Sequence, residues 1–168
     1  MTEILTFAPL VALLILAGGW DLASFTIPNF IQAGLIFSFI AFALVVGLSM
    51  PIAASHLLAG FIGLAAGFTL FSLGYIGGGD AKLFACIALW LGLQDLLLYT
   101  LIASILGGGL TLGIMGLRKF PLPELFARKN WLAKLHDAKS GIPYGVALAA
   151  GLFVILPQTE IFRLAAGG

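Results

Sequence analysis

The chain carries seven acidic side chains: Glu3, Asp21, Asp80, Asp95, Glu124, Asp137 and Glu160. Glu3 and Glu160 lie near the ends, Glu124 and Asp137 fall in a stretch rich in lysine and arginine, and Asp95 sits in a short turn. Asp21 and Asp80 are different, because each borders a long apolar run. An acid at a membrane boundary is costly to keep and usually has a functional reason. Two carboxylates held close together cannot both ionise easily, so one keeps a proton near neutral pH. The ionised member can then take a proton from water while the protonated member hydrogen-bonds a carbonyl. That division of labour hydrolyses peptides without a metal or a covalent intermediate. Local structural roles compete with it: Asp21 as a helix-end residue facing headgroups, Asp80 as a helix N-cap. Proton transport would use the same pair, so the pair alone leaves the chemistry open.

The neighbours narrow the choice. Gly77, Gly78 and Gly79 stand directly before Asp80. Glycine permits close approaches that other residues exclude, so an extended peptide can lie beside the acid. Phosphate binding fits poorly, since no P-loop lysine–serine pattern follows. Lys82 is two residues from Asp80 and would point another way on a helix, as a lysine snorkelling to the interface. Asn29 is expected to cap the second helix, His56 to be structural and remote from the acids, and Cys86 to be a small core residue. Tyr144, at the start of the last apolar run, is expected to border the site. Cys86 is the only cysteine, so an internal disulfide and a multi-cysteine zinc site are excluded.

These residues need elements to hold them. Of 168 residues, 61% are hydrophobic and 9% charged, and the mean hydropathy is +1.16. A water-facing surface normally needs about a quarter of residues charged, so lipid is the solvent. The apolar runs predict six spans: Ile4–Trp20, Phe30–Leu48, Ile52–Tyr75, Leu83–Leu93, Leu96–Leu117 and Ile142–Leu156. A backbone in hydrocarbon must pair its polar groups internally, which makes these runs helices. The expected fold is an all-α membrane protein, a single-domain bundle of about six transmembrane helices over residues 1–168. Leu83–Leu93 is short for a bilayer core. Met1–Trp20 lacks a basic n-region and is expected to be a first span rather than a signal peptide. Gly60, Gly63 and Gly67 in the third run, and Gly109, Gly113 and Gly116 in the fifth, predict close helix packing. A short surface helix is expected over Leu132–Lys139.

Arg118, Lys119, Arg128, Lys129, Lys134 and Lys139 gather six of the eight basic residues between the fifth and sixth runs. Positive charge concentrates in cytoplasmic loops, which assigns this stretch to the cytoplasm. Parity then puts Asp21 and Asp80 on that side and both termini outside. The composition points to no nucleic-acid partner.

Gly77-Gly78-Gly79-Asp80-Ala81-Lys82-Leu83 resembles the GxGD signature of the type IV prepilin peptidases. Asp21 followed by Ile27-Pro28-Asn29 is similar to their first motif, and Ile142-Pro143-Tyr144-Gly145 to their last. The three motifs occur in family order across nearly the whole chain. The resemblance implies catalytic roles for Asp21 and Asp80. Gly77, Gly78, Gly79, Lys82, Pro28, Asn29 and Tyr144 would then shape the site or contact substrate. It also implies a prepilin substrate cut after its leader at the cytoplasmic face of the bacterial inner membrane, with pilus assembly machinery as a further partner. Two departures stand out. Leu22 to Thr26 carries none of the arginines many members place there, and the paired CxxC zinc motifs and N-methyltransferase region of the large members are absent. The chain therefore resembles the short form associated with Flp/Tad pili (CpaA or TadV type), with neither zinc, S-adenosylmethionine nor another cofactor implied. A proton-coupled carrier using the same acids, and a non-catalytic subunit of a pilus or secretion assembly, are the alternatives.

Overall fold

The computed structural model describes residues 2–123 and 129–166, with side chains in the first helix described from Phe7 onward. The side chain of Glu3, and all of Glu124 and Arg128, lie outside the described residues. The described residues are helical with no strand among them: α1 (Thr2–Ser24), α2 (Asn29–Val46), α3 (Met50–Ser72), α4 (Gly78–Leu117), α5 (Asn130–His136), α6 (Tyr144–Ile155) and α7 (Glu160–Ala165). A 3-10 turn, Leu156–Gln158, joins the last two. The fold is that of an all-α membrane protein. Among the described residues, four helices are long and apolar enough to cross a membrane: Phe7–Ser24 of α1, then α2, α3 and α4, with a shorter apolar stretch at Tyr144–Gln158.

The helix α4 joins two runs that the sequence separates. Gly92 breaks it with φ 72° and ψ −179°, a backbone state that glycine reaches without steric cost. The break is a reversal, because the rings of Phe84 and Tyr99 stack at 5.7 Å, whereas a straight helix would hold them more than about 20 Å apart. The arms, 78–91 and 93–117, therefore run antiparallel. A continuous helix would bond the Leu93 N–H to the Leu89 carbonyl. Here the Leu93 N–H donates to Ser55 Oγ at 3.2 Å, and the Leu89 carbonyl accepts from His56 Nδ1 at 2.9 Å. His56, buried and remote from both acids, is structural as expected. The turn falls at Gly92 rather than between Leu93 and Leu96. The first arm, about 21 Å long at 1.5 Å per residue, is shorter than a bilayer core.

Close packing fixes the neighbours. A Cβ on Gly63 would stand 2.7 Å from the Ala88 Cβ, and one on Gly67 2.9 Å from the Ala81 carbonyl oxygen. Gly60 faces Leu89 in the same seam, so α3 lies tightly along the first arm. The expectation for the second arm fails. Gly109, Gly113 and Gly116 meet nothing within 4 Å, and the packing glycine there is Gly107, against the Tyr144 ring. The reason is rotation: Gly107 and Gly109 lie about 200° apart around a helix of 3.6 residues per turn. The core centres on Trp90, fully buried among Phe7, Phe39 and Phe42. Its Nε1–H donates to the Leu35 carbonyl at 2.9 Å, a bond whose loss would cost about 1–3 kcal/mol.

Candidate active site

Asp21 is not beyond the first helix, as its place after the apolar run suggested. Helix α1 continues through it to Ser24 and stops where Phe25 turns to φ 61°. A positive φ is unusual for a bulky residue; here the Phe25 N–H closes the helix on the Asp21 carbonyl at 2.7 Å. Ser24 braces the turn, donating to the Trp20 carbonyl at 2.8 Å and pairing with the Thr26 hydroxyl at 2.9 Å. Lys134 Nζ, from α5, lies 5.9 Å above the Phe25 ring.

Asp80 is the third residue of α4, after an N-cap at Gly77. Its Oδ2 accepts the Gly77 N–H at 3.2 Å. Gly77 has no side chain to return the favour, so this is half of a capping box. Asp80 is therefore not the N-cap residue expected from the sequence; it caps the helix from the third position, with one oxygen. The other, Oδ1, is the one buried side-chain oxygen or nitrogen without a hydrogen-bond partner among the described residues. Buried polar groups are nearly always paired, and an orphan calls for an explanation beyond helix capping.

The bundle brings the two acids together from 59 residues apart in sequence (80 − 21). Asp21 is 3% exposed and Asp80 8%, and both line one cavity of ≈ 350 Å³ with Phe25, Thr26, Ile27, Asn29, Gly77, Gly78, Gly79 and Lys82. A third segment completes it. The Gly145 N–H, at the start of α6, donates to Asp21 Oδ2 at 2.7 Å. A Cβ on Gly145 would stand 2.8 Å from Ile27 Cδ1 and 2.9 Å from Asp21 Oδ2. Only glycine fits.

Several expected residues take other places. Asn29 does not cap α2: Pro28 holds the N-cap position, and no side chain caps the helix. Asn29 is instead the first helical residue, and its Oδ1 accepts from Lys82 Nζ at 2.9 Å. Lys82 is exposed, as a snorkelling lysine would be, yet it lines the cavity with the acids. Pro28 starts α2 without lining the cavity. Tyr144 points away from the acids; its hydroxyl pairs with Thr111 Oγ1 at 3.1 Å, and it lines a separate cavity with Tyr75 and Arg118. Gly145, the next residue, is the one that touches Asp21, and sequence reasoning passed over it. Its signal was present in the Ile142-Pro143-Tyr144-Gly145 motif. Phe25 had no comparable signal.

Arg118 also escaped notice as more than a loop charge. Its Nε donates to the Leu135 carbonyl at 2.9 Å, and its Nη2 to those of Ser140 and Gly141 at 3.1 Å. This grip fixes the chain just before Gly145. The helix expected over Leu132–Lys139 exists as α5 and ends at His136.

Two buried acids lining one cavity suit general acid–base chemistry. The model of the type IV leader peptidase family matches residues 8–112, well over half of the chain, including Asp21 and Asp80. The chain belongs to the type IV leader peptidase family. No curated protein and no solved structure matches it. As a leader peptidase with several long apolar helices, it is a multi-pass membrane protein. Asp21 and Asp80 lie inside the matched stretch, while Gly145 lies beyond it. Among the described residues no three His, Cys, Asp or Glu side chains gather in a way that could hold a metal ion.

Proposed function

We propose that the chain is an aspartic endopeptidase that removes the leader of type IV-like prepilins of the Flp/Tad kind, with Asp21 and Asp80 as the catalytic pair. The observation that carries this reading is that both buried acids line one cavity. One carboxylate is ionised and takes a proton from water as the water oxygen attacks the scissile carbonyl carbon. The other is protonated and gives its proton to the carbonyl oxygen. Collapse of the tetrahedral intermediate breaks the C–N bond; the leaving amine takes the proton that the first acid received, and the former carbonyl oxygen returns its proton to the second. Gly145 holds Asp21 in place through its N–H, and the Gly77–Gly79 run leaves room for an extended peptide backbone beside Asp80.

The substrate's basic leader stays in the cytoplasm while its apolar helix lies in the bilayer, which sets the scissile bond at the membrane boundary. Support for the cytoplasmic side comes from the basic stretch, since Arg118 and Lys134 sit at the same end of the bundle as the acids. The inner membrane of a bacterium is the corresponding location. No methyl transfer and no cofactor enter the reaction, and pilus assembly machinery is a further partner.

Purified protein in vesicles, incubated with a prepilin, should yield a product shortened by the leader, as read by mass spectrometry. An unchanged prepilin, from protein whose helicity and melting are intact, would defeat the peptidase reading. Cytoplasmic reporters fused at Lys139 should be active; silence there would reverse the sidedness.

A further inference from the structure

Next to the cavity lies a second hollow of quite different character. The helices α2 and α3 barely touch each other, although both lean on the first arm of α4. The gap between them is a groove of ≈ 340 Å³. Its floor is Lys82, Ala85, Cys86 and Leu89, a stripe at i, i+3, i+4 and i+7 on one helix face. Ile36 of α2 forms one wall, and Leu57, Phe61 and Leu64 of α3 the other. Lys82 lines both hollows, so the groove adjoins the cavity holding Asp21 and Asp80. Gln32 is the other polar residue on the lining, and once its amide is turned to suit them its NH2 faces the carbonyls of Pro28 and Asn29.

We infer that this groove is the docking subsite for the apolar helix that follows the scissile bond of the substrate. The inference rests on the leader-peptidase reading above and adds the place where the uncut part of the substrate sits. The stripe from Lys82 to Leu89 rises about 10 Å, two turns of helix, at 1.5 Å per residue. Small residues on the floor, Ala85 and Cys86, let a second backbone come close, which is how helices associate where lipid removes the hydrophobic drive. A substrate helix lying along the stripe enters from lipid between α2 and α3, and its start is delivered to the first turn of α4, where Asp80 stands.

Cross-linking tests the placement without relying on catalysis. Ile36→Cys and Leu57→Cys, each in the full chain with Cys86→Ser, face the groove; Phe37→Cys, exposed on α2 beside Ile36 but off the groove lining, is the control. The probe is a synthetic membrane peptide: a basic leader ending in glycine, then an apolar helix bearing one cysteine within two turns of the junction. In vesicles, a bifunctional thiol reagent should join the probe to Ile36→Cys and Leu57→Cys at least ~10-fold more than to Phe37→Cys. In parallel, Ala85→Phe, which fills the floor, should raise KM for this probe ~10-fold and leave kcat near the parent value. Equal labelling of all three positions, adducts between two copies of the chain, or attachment only of a lipid-borne thiol probe would overturn the subsite. Cleavage of the probe by the parent without groove adducts would overturn the subsite alone. Groove adducts without cleavage by the parent would uphold the subsite and reject the peptidase reading.

Discussion

The two ends of the bundle handle buried polar groups in opposite ways. At the end holding Gly92, side chains are used up on the backbone. His56 meets the Leu89 carbonyl, Ser55 the Leu93 N–H, Asp95 Oδ2 the Glu160 N–H at 3.1 Å, and Thr159 Oγ1 the Leu156 carbonyl at 2.7 Å. Each answers a specific break: the reversal at Gly92, or the start of α7. At the other end, Asp80 keeps one oxygen unpaired, and Lys82 is held by nothing stronger than Asn29. An apolar interior makes an unmet polar atom expensive. A polar group that repairs the backbone is structural, then, and one left with capacity to spare is a candidate for chemistry.

This contrast should break most sharply at the acids. Asp21→Asn and Asp80→Asn each keep shape but lose proton transfer, and each should cut cleavage by ~10³-fold or more, the scale for catalytic groups that act as a unit. The double variant should be little worse than either single one. Asp95→Asn, whose amide oxygen can still accept the Glu160 N–H, should process prepilin normally. Near-parent cleavage by well-folded Asp21→Asn would remove Asp21 from the pair.

Gly145→Ala comes next. Its methyl would enter the space of Ile27 and Asp21, so we expect cleavage to fall ~10²-fold, with a modest drop in melting temperature. The matched control is Gly141→Ala, where nothing lies within 4 Å and φ is not positive; it should be neutral in both assays. Equal behaviour of the two glycines would show that Asp21 tolerates displacement.

The far end should give the reverse pattern. His56→Ala leaves the Leu89 carbonyl unmet, and should cost about 1–3 kcal/mol of stability while the folded fraction cleaves at the parent rate. Denaturant titration alongside single-turnover cleavage separates the two effects. A loss of rate without a loss of stability would tie the Gly92 turn to catalysis. Smallest of all, treatment with a chelator should leave cleavage unchanged within about twofold, since no cysteine cluster exists in the chain. Loss on chelation, restored by zinc, would argue against a two-carboxylate mechanism.

The sequence by itself determined the solvent and the helical class, and it singled out the two acids that the fold brings to one cavity. With 61% hydrophobic residues, the chain leaves its backbone few ways to satisfy its polar groups, so apolar runs read reliably as helices. The acids were legible because so few charges compete for attention and because Asp21, Ile27-Pro28-Asn29, Gly77–Asp80 and Ile142–Gly145 are local patterns. What only the tertiary structure decided depends on rotation and on meetings between distant segments. Hydrophobicity is nearly uniform around these helices, so nothing in the sequence told Gly107 from Gly109 as the packing face. Nor could it show that Tyr144 turns from Asp21 while Gly145 meets it, since adjacent residues on a helix differ by 100°. Asn29 took Lys82 as its partner, 53 residues away, rather than its own helix. The cavity lined by Asp21 and Asp80, the groove between α2 and α3, and the unpaired oxygen of Asp80 all arise where separate segments meet, a property of packing that no single stretch of residues contains.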